Sequence, residues 1–270
     1  MNPLVFTLRQ QPEQRLDLSP LVPHLLAGKT EADIERIELQ TTRQRVTVAD
    51  IFRLRMGDPE RIRIQGAGDR IDYVGQHMQG GEIVIDGDVG VQAGRLMAGG
   101  RLTVRGSAGP YAASGMTGGV IDIDAAGACL GAPLPGEMAG MRGGVVVVHG
   151  GAAERAGDRM RRGTIIIEGE AGAYAGSRMI AGTLIIAGKT GPLPGFLMKR
   201  GTVVLGEGAS AMSPTFLDCG QYQLLALRLW ARLTEPYSKR AGGLLKRPLK
   251  RLAGDMAVLG KGEIFIGNQD

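Results

Sequence analysis

Histidine occurs three times in this chain of 270 residues, cysteine twice and tryptophan once, and aromatic residues make up only 4%. Each shortage excludes something. Cys129 and Cys219 are too few for a disulfide framework and form no Cys-x-x-Cys pair. A reducing cytoplasm is therefore the expected compartment. His24, His77 and His149 stand far apart, without the ligand spacing of a zinc site, so no metal is expected. Few aromatics leave little for nucleic-acid bases to stack on. No apolar run approaches the ~18 residues of a membrane span, and Met1 to Phe6 lacks the charged and apolar regions of a signal peptide. No nucleophile elbow, P-loop or paired-carboxylate motif occurs, so no active site is expected in this chain.

What the chain has is glycine, 44 residues of it, and a register. Methionine recurs at Met78, Met97, Met116, Met141, Met160, Met179 and Met198, every gap being 19 except the 25 between Met116 and Met141. A glycine follows each by three residues, from Gly81 through Gly201. The clearest copy runs Thr164-Ile165-Ile166-Ile167-Glu168-Gly169, then Gly172, Gly176, Met179 and Gly182. Each copy is thus a short β-branched run followed by Gly-x-x-Gly-x-x-x-Gly. The run is strand-like, and the glycines suit corners. One such unit cannot bury its own apolar face and must stack on its neighbours. Nineteen residues is too short for a propeller blade or a two-helix repeat, and the leucine-rich signature is absent. The expected fold is all-β: a right-handed parallel β-helix of about seven coils.

Alternation along each run assigns faces. Ile83, Leu102, Ile121, Val146, Ile165 and Leu184 align, as do Ile85, Val104, Ile123, Val148, Ile167 and Ile186; both ladders are expected inside, with the methionines as gap-fillers. The position between them faces out and reads Val84, Thr103, Asp122, then Val147, Ile166, Ile185 and Val204. The last four form an apolar stripe that needs a cover. Two covers fit: a separate partner protein, for which these residues are the interface candidates, or the C-terminal segment of the same chain.

The ends lack the period. Residues 1–60 are expected to cap the first coil, with strands at Val5 to Leu8, Ile34 to Leu39 and Val46 to Val48, and a helix opening at Ser19-Pro20. Residues 61–208 form the β-helix. Residues 209–270 hold an expected helix from Gln221 to Leu233, a basic stretch, and a last strand at Ile264-Phe265-Ile266.

The net charge is +5, and the basic residues cluster around the methionine corner. Arg142, Arg161 and Lys199 each follow a methionine; Arg162 and Arg200 take the next position, and Arg159 and Arg178 precede one. Stacked coils would line them along one edge as a positive strip, suited to a polycarboxylate or an acidic protein face rather than to nucleic acid. The 25-residue copy inserts six residues within Cys129 to Glu137, and such insertions map to one face, so this loop is expected to touch a partner.

The coil motif resembles the C-terminal domain of the glutamate synthase large subunit. It is more similar still to the C subunit of formylmethanofuran dehydrogenase, through three further stretches: Val46 to Phe52, Pro135 to Gly144, and Gly254-Asp255 followed by Gly260 to Ile264. That resemblance implies a β-helical subunit without catalytic residues. In archaea the family's complex interconverts carbon dioxide and formylmethanofuran on a molybdenum or tungsten pterin held by another subunit. In methylotrophic bacteria a related formyltransferase/hydrolase complex moves a formyl group from formyl-tetrahydromethanopterin to a methanofuran-type carrier and hydrolyses it. The composition favours the bacterial form. Implied partners are an amidohydrolase-like subunit, a formyltransferase and a chain like the B subunit of the dehydrogenase. The carrier's glutamate-rich tail is the expected ligand of Arg142, Arg159, Arg161, Arg162, Arg178, Lys199 and Arg200. The glutamate-synthase-like alternative is a structural spacer.

Overall fold

The computed structural model describes residues 2–43 and 45–267. The first part of the chain holds β1 (Pro3–Leu8), β2 (Leu16–Asp17), α1 (Pro23–Leu26), α2 (Glu31–Glu35), β3 (Glu38–Gln40), β4 (Arg45–Thr47), α3 (Val48–Ile51) and β5 (Phe52–Arg55). Then come β6 (Asp58–Ala67), β7 (Ile71–Asp72), β8 (Glu82–Gly87), β9 (Arg101–Ala108), β10 (Val120–Ala126), β11 (Arg142–Val148), β12 (Arg162–Ile167), β13 (Thr183–Ile186) and β14 (Arg200–Leu205). The last part holds β15 (Leu217–Tyr222), α4 (Leu225–Thr234), α5 (Lys239–Leu244), β16 (Leu249–Gly254) and β17 (Lys261–Ile266).

Thirteen strands make one mainly parallel sheet in the order β15-β16-β17-β14-β13-β12-β11-β10-β9-β8-β6-β1-β5. From β8 to β14 each strand pairs in parallel with the next copy of the repeat. A second parallel ladder of single bridges runs through Ala126, Ala152, Ala171, Thr190 and Ala209 on another side of the coils. The architecture is β-helix-like.

Both inner ladders are buried throughout, and so are all seven methionines. The ladders are longer than the repeat. Leu4 pairs with Ile62 and Ile62 with Ile83 at one end, and Val203 pairs with Ile264 at the other. Residues without the methionine and glycine register thus join the same sheet, because pairing requires only alternation of apolar and polar side chains.

The shared period of methionine and glycine has a steric cause. Each methionine side chain reaches over the glycine of the following coil. A Cβ at Gly119 would stand 2.8 Å from Met97 Cε, and one at Gly201 would stand 3.0 Å from Met179 Cε. Gly201 also has φ +101°, a conformation that L side chains rarely adopt. Glycine leaves the space that the thioether fills.

Three sequence expectations change. Ile34 lies in α2, whose N-cap Thr30 forms a capping box with Asp33, so only Glu38 and Leu39 of the expected strand are extended, in β3. Ser19-Pro20 opens no helix; the first helix begins at Pro23 after Val22. Gln221 and Tyr222 belong to β15, and the helix starts at Leu225.

The stripe of Val147, Ile166, Ile185 and Val204 is buried by its own chain, which removes it as a partner interface. Ile166, Ile185 and Val204 form a second core with Leu227 and Ala231 of α4, Ala241 of α5, Leu245, Leu249 and Phe265. A helix with one apolar face can cover β-branched side chains as well as a separate protein can. Covalent connection lowers the entropic cost of bringing the two faces together.

Candidate functional site

One corner of each coil carries left-handed backbone at non-glycine residues. Tyr73, Gln92, Tyr111, Arg155, Tyr174 and Leu193 form one series, and His77, Leu96, Arg159, Arg178 and Leu197 another, all with φ between 49° and 62°. In most coils a glycine with positive φ lies between the two, as at Gly157 and Gly176. The corner recurs at the repeat spacing, and three clefts open along it.

The basic residues gather next to this corner. The amides of Arg142, Arg161 and Lys199 each donate to the methionine carbonyl of the preceding coil, at 2.7, 2.8 and 2.8 Å. Their side chains therefore start from equivalent points on the stack, and they are exposed, as are Arg162 and Arg200. Among the described residues none of these five forms an ion pair. Arg159 and Arg178 differ. Arg178 donates from Nε and Nη2 to the two carboxylate oxygens of Asp158, at 2.9 and 2.6 Å. Asp158 is buried and also accepts from Ser177 Oγ at 2.6 Å. Arg159 lies 3.9 Å from the same carboxylate and donates to the carbonyl of Glu137. Among the described residues five of the cations are thus without an ion pair, and two are held in place. The sequence pattern did not separate them, because the left-handed turn that brings Asp158 beside Arg178 is not written in the residue types.

The inserted loop is fastened across the corner. Glu137 accepts from Arg95 Nη2 at 2.9 Å and from the amide of Leu134 at 3.1 Å. Leu134 borders two clefts. One, of about 690 Å³, includes Arg15, Asp72, Tyr73, Gln76 and Arg95; the other, of about 340 Å³, includes Tyr111, Cys129, Arg155 and Arg178. Burial pushes the Cys129 thiol up, away from thiolate chemistry. Met138, 84% exposed, stands over a third cleft of about 310 Å³ with Ile180, Leu197 and Val258 as apolar lining and Arg159, Arg178 and Lys199 beside them. That cleft is held by Asp255, a buried carboxylate that accepts from the amides of Leu197 and Ala257 at 2.9 Å each. Burial raises its pKa, but hydrogen bonds from Thr215 and these amides outweigh burial and leave it lowered.

On the opposite flank, His149 bridges two carboxylates, Asp122 at 2.8 Å from Nε2 and Glu168 at 3.1 Å from Nδ1. Glu168 also accepts from Ser238, the N-cap of α5. In the sequence, His149 is weighed only as a metal ligand, not as an ion-pair partner. The period held the signal, since Glu168 stands one repeat further on. Among the described residues no group of three or more His, Cys, Asp or Glu is disposed to hold a metal ion.

Comparison with known proteins decides the family. One chain of the crystal structure of the formyltransferase/hydrolase complex (FhcABCD) from Methylorubrum extorquens, in complex with methylofuran, superposes with a TM-score of 0.93 and 39% identity over 98% of this chain and 100% of that one. The chain belongs to the family formed by the C subunits of the formyltransferase/hydrolase and formylmethanofuran dehydrogenase complexes. The C subunit of the Fhc complex from Methylorubrum extorquens is 41% identical over 83 residues. The C subunit of the tungsten-containing formylmethanofuran dehydrogenase 2 from Methanothermobacter wolfeii is 35% identical over 100. These alignments span about a third of the length of either relative (31% and 37%) and 31% and 35% of this chain. No family profile matches the chain. Among the described residues no helix is long and apolar enough to cross a membrane. Membership of this family explains the flanking stretches that resemble it, and the superposed chain covers the ends as well as the coils.

Proposed function

We propose that this chain is a non-catalytic scaffold subunit of a formyltransferase/hydrolase complex, docking catalytic subunits and holding the anionic tail of a methanofuran-type carrier. Its stack reads as a right-handed β-helix of about seven regular coils, capped by residues 1–60 and 209–270. The observation that carries the ligand assignment is the row of five exposed cations without ion pairs, Arg142, Arg161, Arg162, Lys199 and Arg200, on one edge of a rigid stack. Arginine and lysine at coil spacing suit a chain of carboxylates: each contact is charge-assisted, and successive coils supply several. Arg159 and Arg178, tied to Asp158, keep the adjoining cleft in shape and add positive potential. The similarity to a complex crystallised with methylofuran supports a carrier of that class.

The test is a complex purified from the native host carrying Arg142→Glu, Arg161→Glu and Lys199→Glu together. The expected result is an intact complex with several-fold less glutamate-tailed furan carrier than wild type, measured by mass spectrometry, and a deficit that is largest at low salt. Unchanged carrier content would overturn the assignment. Molybdenum or tungsten in the sample would point to the dehydrogenase type of complex instead.

A further inference from the structure

Helix α4 covers the stripe on the β-helix with one face and leaves a second apolar stripe on the other. Leu227 and Ala231 point inward and are fully buried, while Leu225, Leu229 and Leu233 are 71%, 53% and 68% exposed. These three recur every four residues, so they lie on one side of the helix. The exposed Tyr222 of β15 lies just before them in the chain. Strand β15 is also an end strand of the sheet among the described residues. A helix that serves only as a cover has no need of leucine on its outer face; three in register on a soluble surface mark an interaction site.

The charges beside the stripe indicate what it accepts. Arg228 and Arg232 flank the leucines on one side, and among the described residues neither forms an ion pair or a side-chain hydrogen bond. Residues 223–251 contain eight basic side chains and one acidic, against a net charge of +5 for the whole chain. Glu235, the single acid, pairs with Lys246. A second copy laid on this stripe would bring four unpaired arginines together, a like-charge arrangement that disfavours self-association. An acidic partner would pair both arginines while burying the leucines.

We infer that the outer face of α4 is a docking site for an acidic amphipathic helix of another subunit of the same complex. The inference rests on the reading of this chain as one component of such a complex. The partner helix would present leucine-like side chains at i, i+4 spacing with Asp or Glu alongside, aligned to Arg228 and Arg232. An anionic membrane could also meet a basic, leucine-bearing face. But α4 spans only ten residues, and its other apolar side is occupied, which leaves a narrow strip to insert.

The experiment co-expresses the tagged full chain with the three further subunits encoded by its host and compares wild type, Leu229→Glu, and Arg228→Glu with Arg232→Glu. Both variants change outward side chains and should melt as the wild type does. The expected result is at least a tenfold loss of one subunit from the purified Leu229→Glu complex, with the others retained. The double arginine variant should lose the same subunit several-fold, most strongly at low salt. Leu229→p-benzoylphenylalanine should cross-link to an acidic, leucine-bearing segment of that subunit. A complete complex from both variants would overturn the docking site and leave the scaffold reading standing. Cross-links to a second copy, or phosphatidylglycerol vesicles bound by wild type and released by Leu229→Glu, would overturn it in favour of those occupants. Absence of every other subunit from the wild-type preparation would overturn both readings.

Discussion

At the scale of the residue, the sharpest local device is His149, held between Asp122 and Glu168. Its pKa is raised, first by the hydrogen bond to Glu168 and then by Asp122, against some desolvation. A folded-state pKa above the unfolded value of about 6.5 means that the protonated ring stabilises the fold. That contribution is complete below about pH 6.5 and is lost as pH rises through the folded pKa. His149→Ala should therefore lower Tm more at pH 6 than at pH 9, measured by thermal melts of both proteins; equal losses at the two pH values would contradict the ion-pair role. The partners of His149 were half legible. Glu168 is 19 residues away, one period, and Asp122 is 27 away, across the irregular coil. Arg159 and Arg178 were not legible as a held pair. Their tie to Asp158 depends on backbone angles of 49° and 52° that arginine does not announce.

At the scale of the element, the coil is a methionine laid over the next coil's glycine. Neither residue type alone would fix the repeat, but each excludes substitutes for the other. Met160 is fully buried, with its Cε over Gly182. Met160→Ala should leave a cavity and cost about 2–5 kcal/mol in denaturant unfolding. Thr164→Ala, on the same coil at a partly exposed position, should cost far less. If the two cost the same, the methionine ladder is not the packing unit described above. The ladders, their faces and the methionine stack were legible because a strict period converts spacing directly into contact. The ends were less so. Ile34 fell in a helix because a capping box outranked its β-branched side chain, and the start of α4 shifted because Gln221 and Tyr222 extend an edge strand. Where no period repeats an error, one local interaction decides.

At the scale of the whole molecule, the C-terminal segment is part of the stack rather than an appendage. Strand β17 pairs with β14 along six residues, and α4 and α5 cover the outer stripe. A chain ended at residue 208 would expose the edge of β14 together with Ile166, Ile185 and Val204. It should associate or precipitate, giving a rise in light scattering at concentrations where the full chain is a single species. A clear, monomeric fragment would show that the cover is dispensable. That the stripe needed a cover was legible; which cover it has was not, because burial of apolar area has no preference between a tethered helix and a separate protein. The strand order carries a further consequence for biosynthesis. Strand β17 is made after β15 and β16, yet it lies between them and the coils. A nascent chain can wind its coils one upon another as they leave the ribosome, but winding must halt at β14. Strands β15 and β16 then wait beside an unfinished edge for a later strand to take the place next to it. Until that strand emerges, the open edge of β14 is a transient exposure that translation speed and chaperone supply must cover.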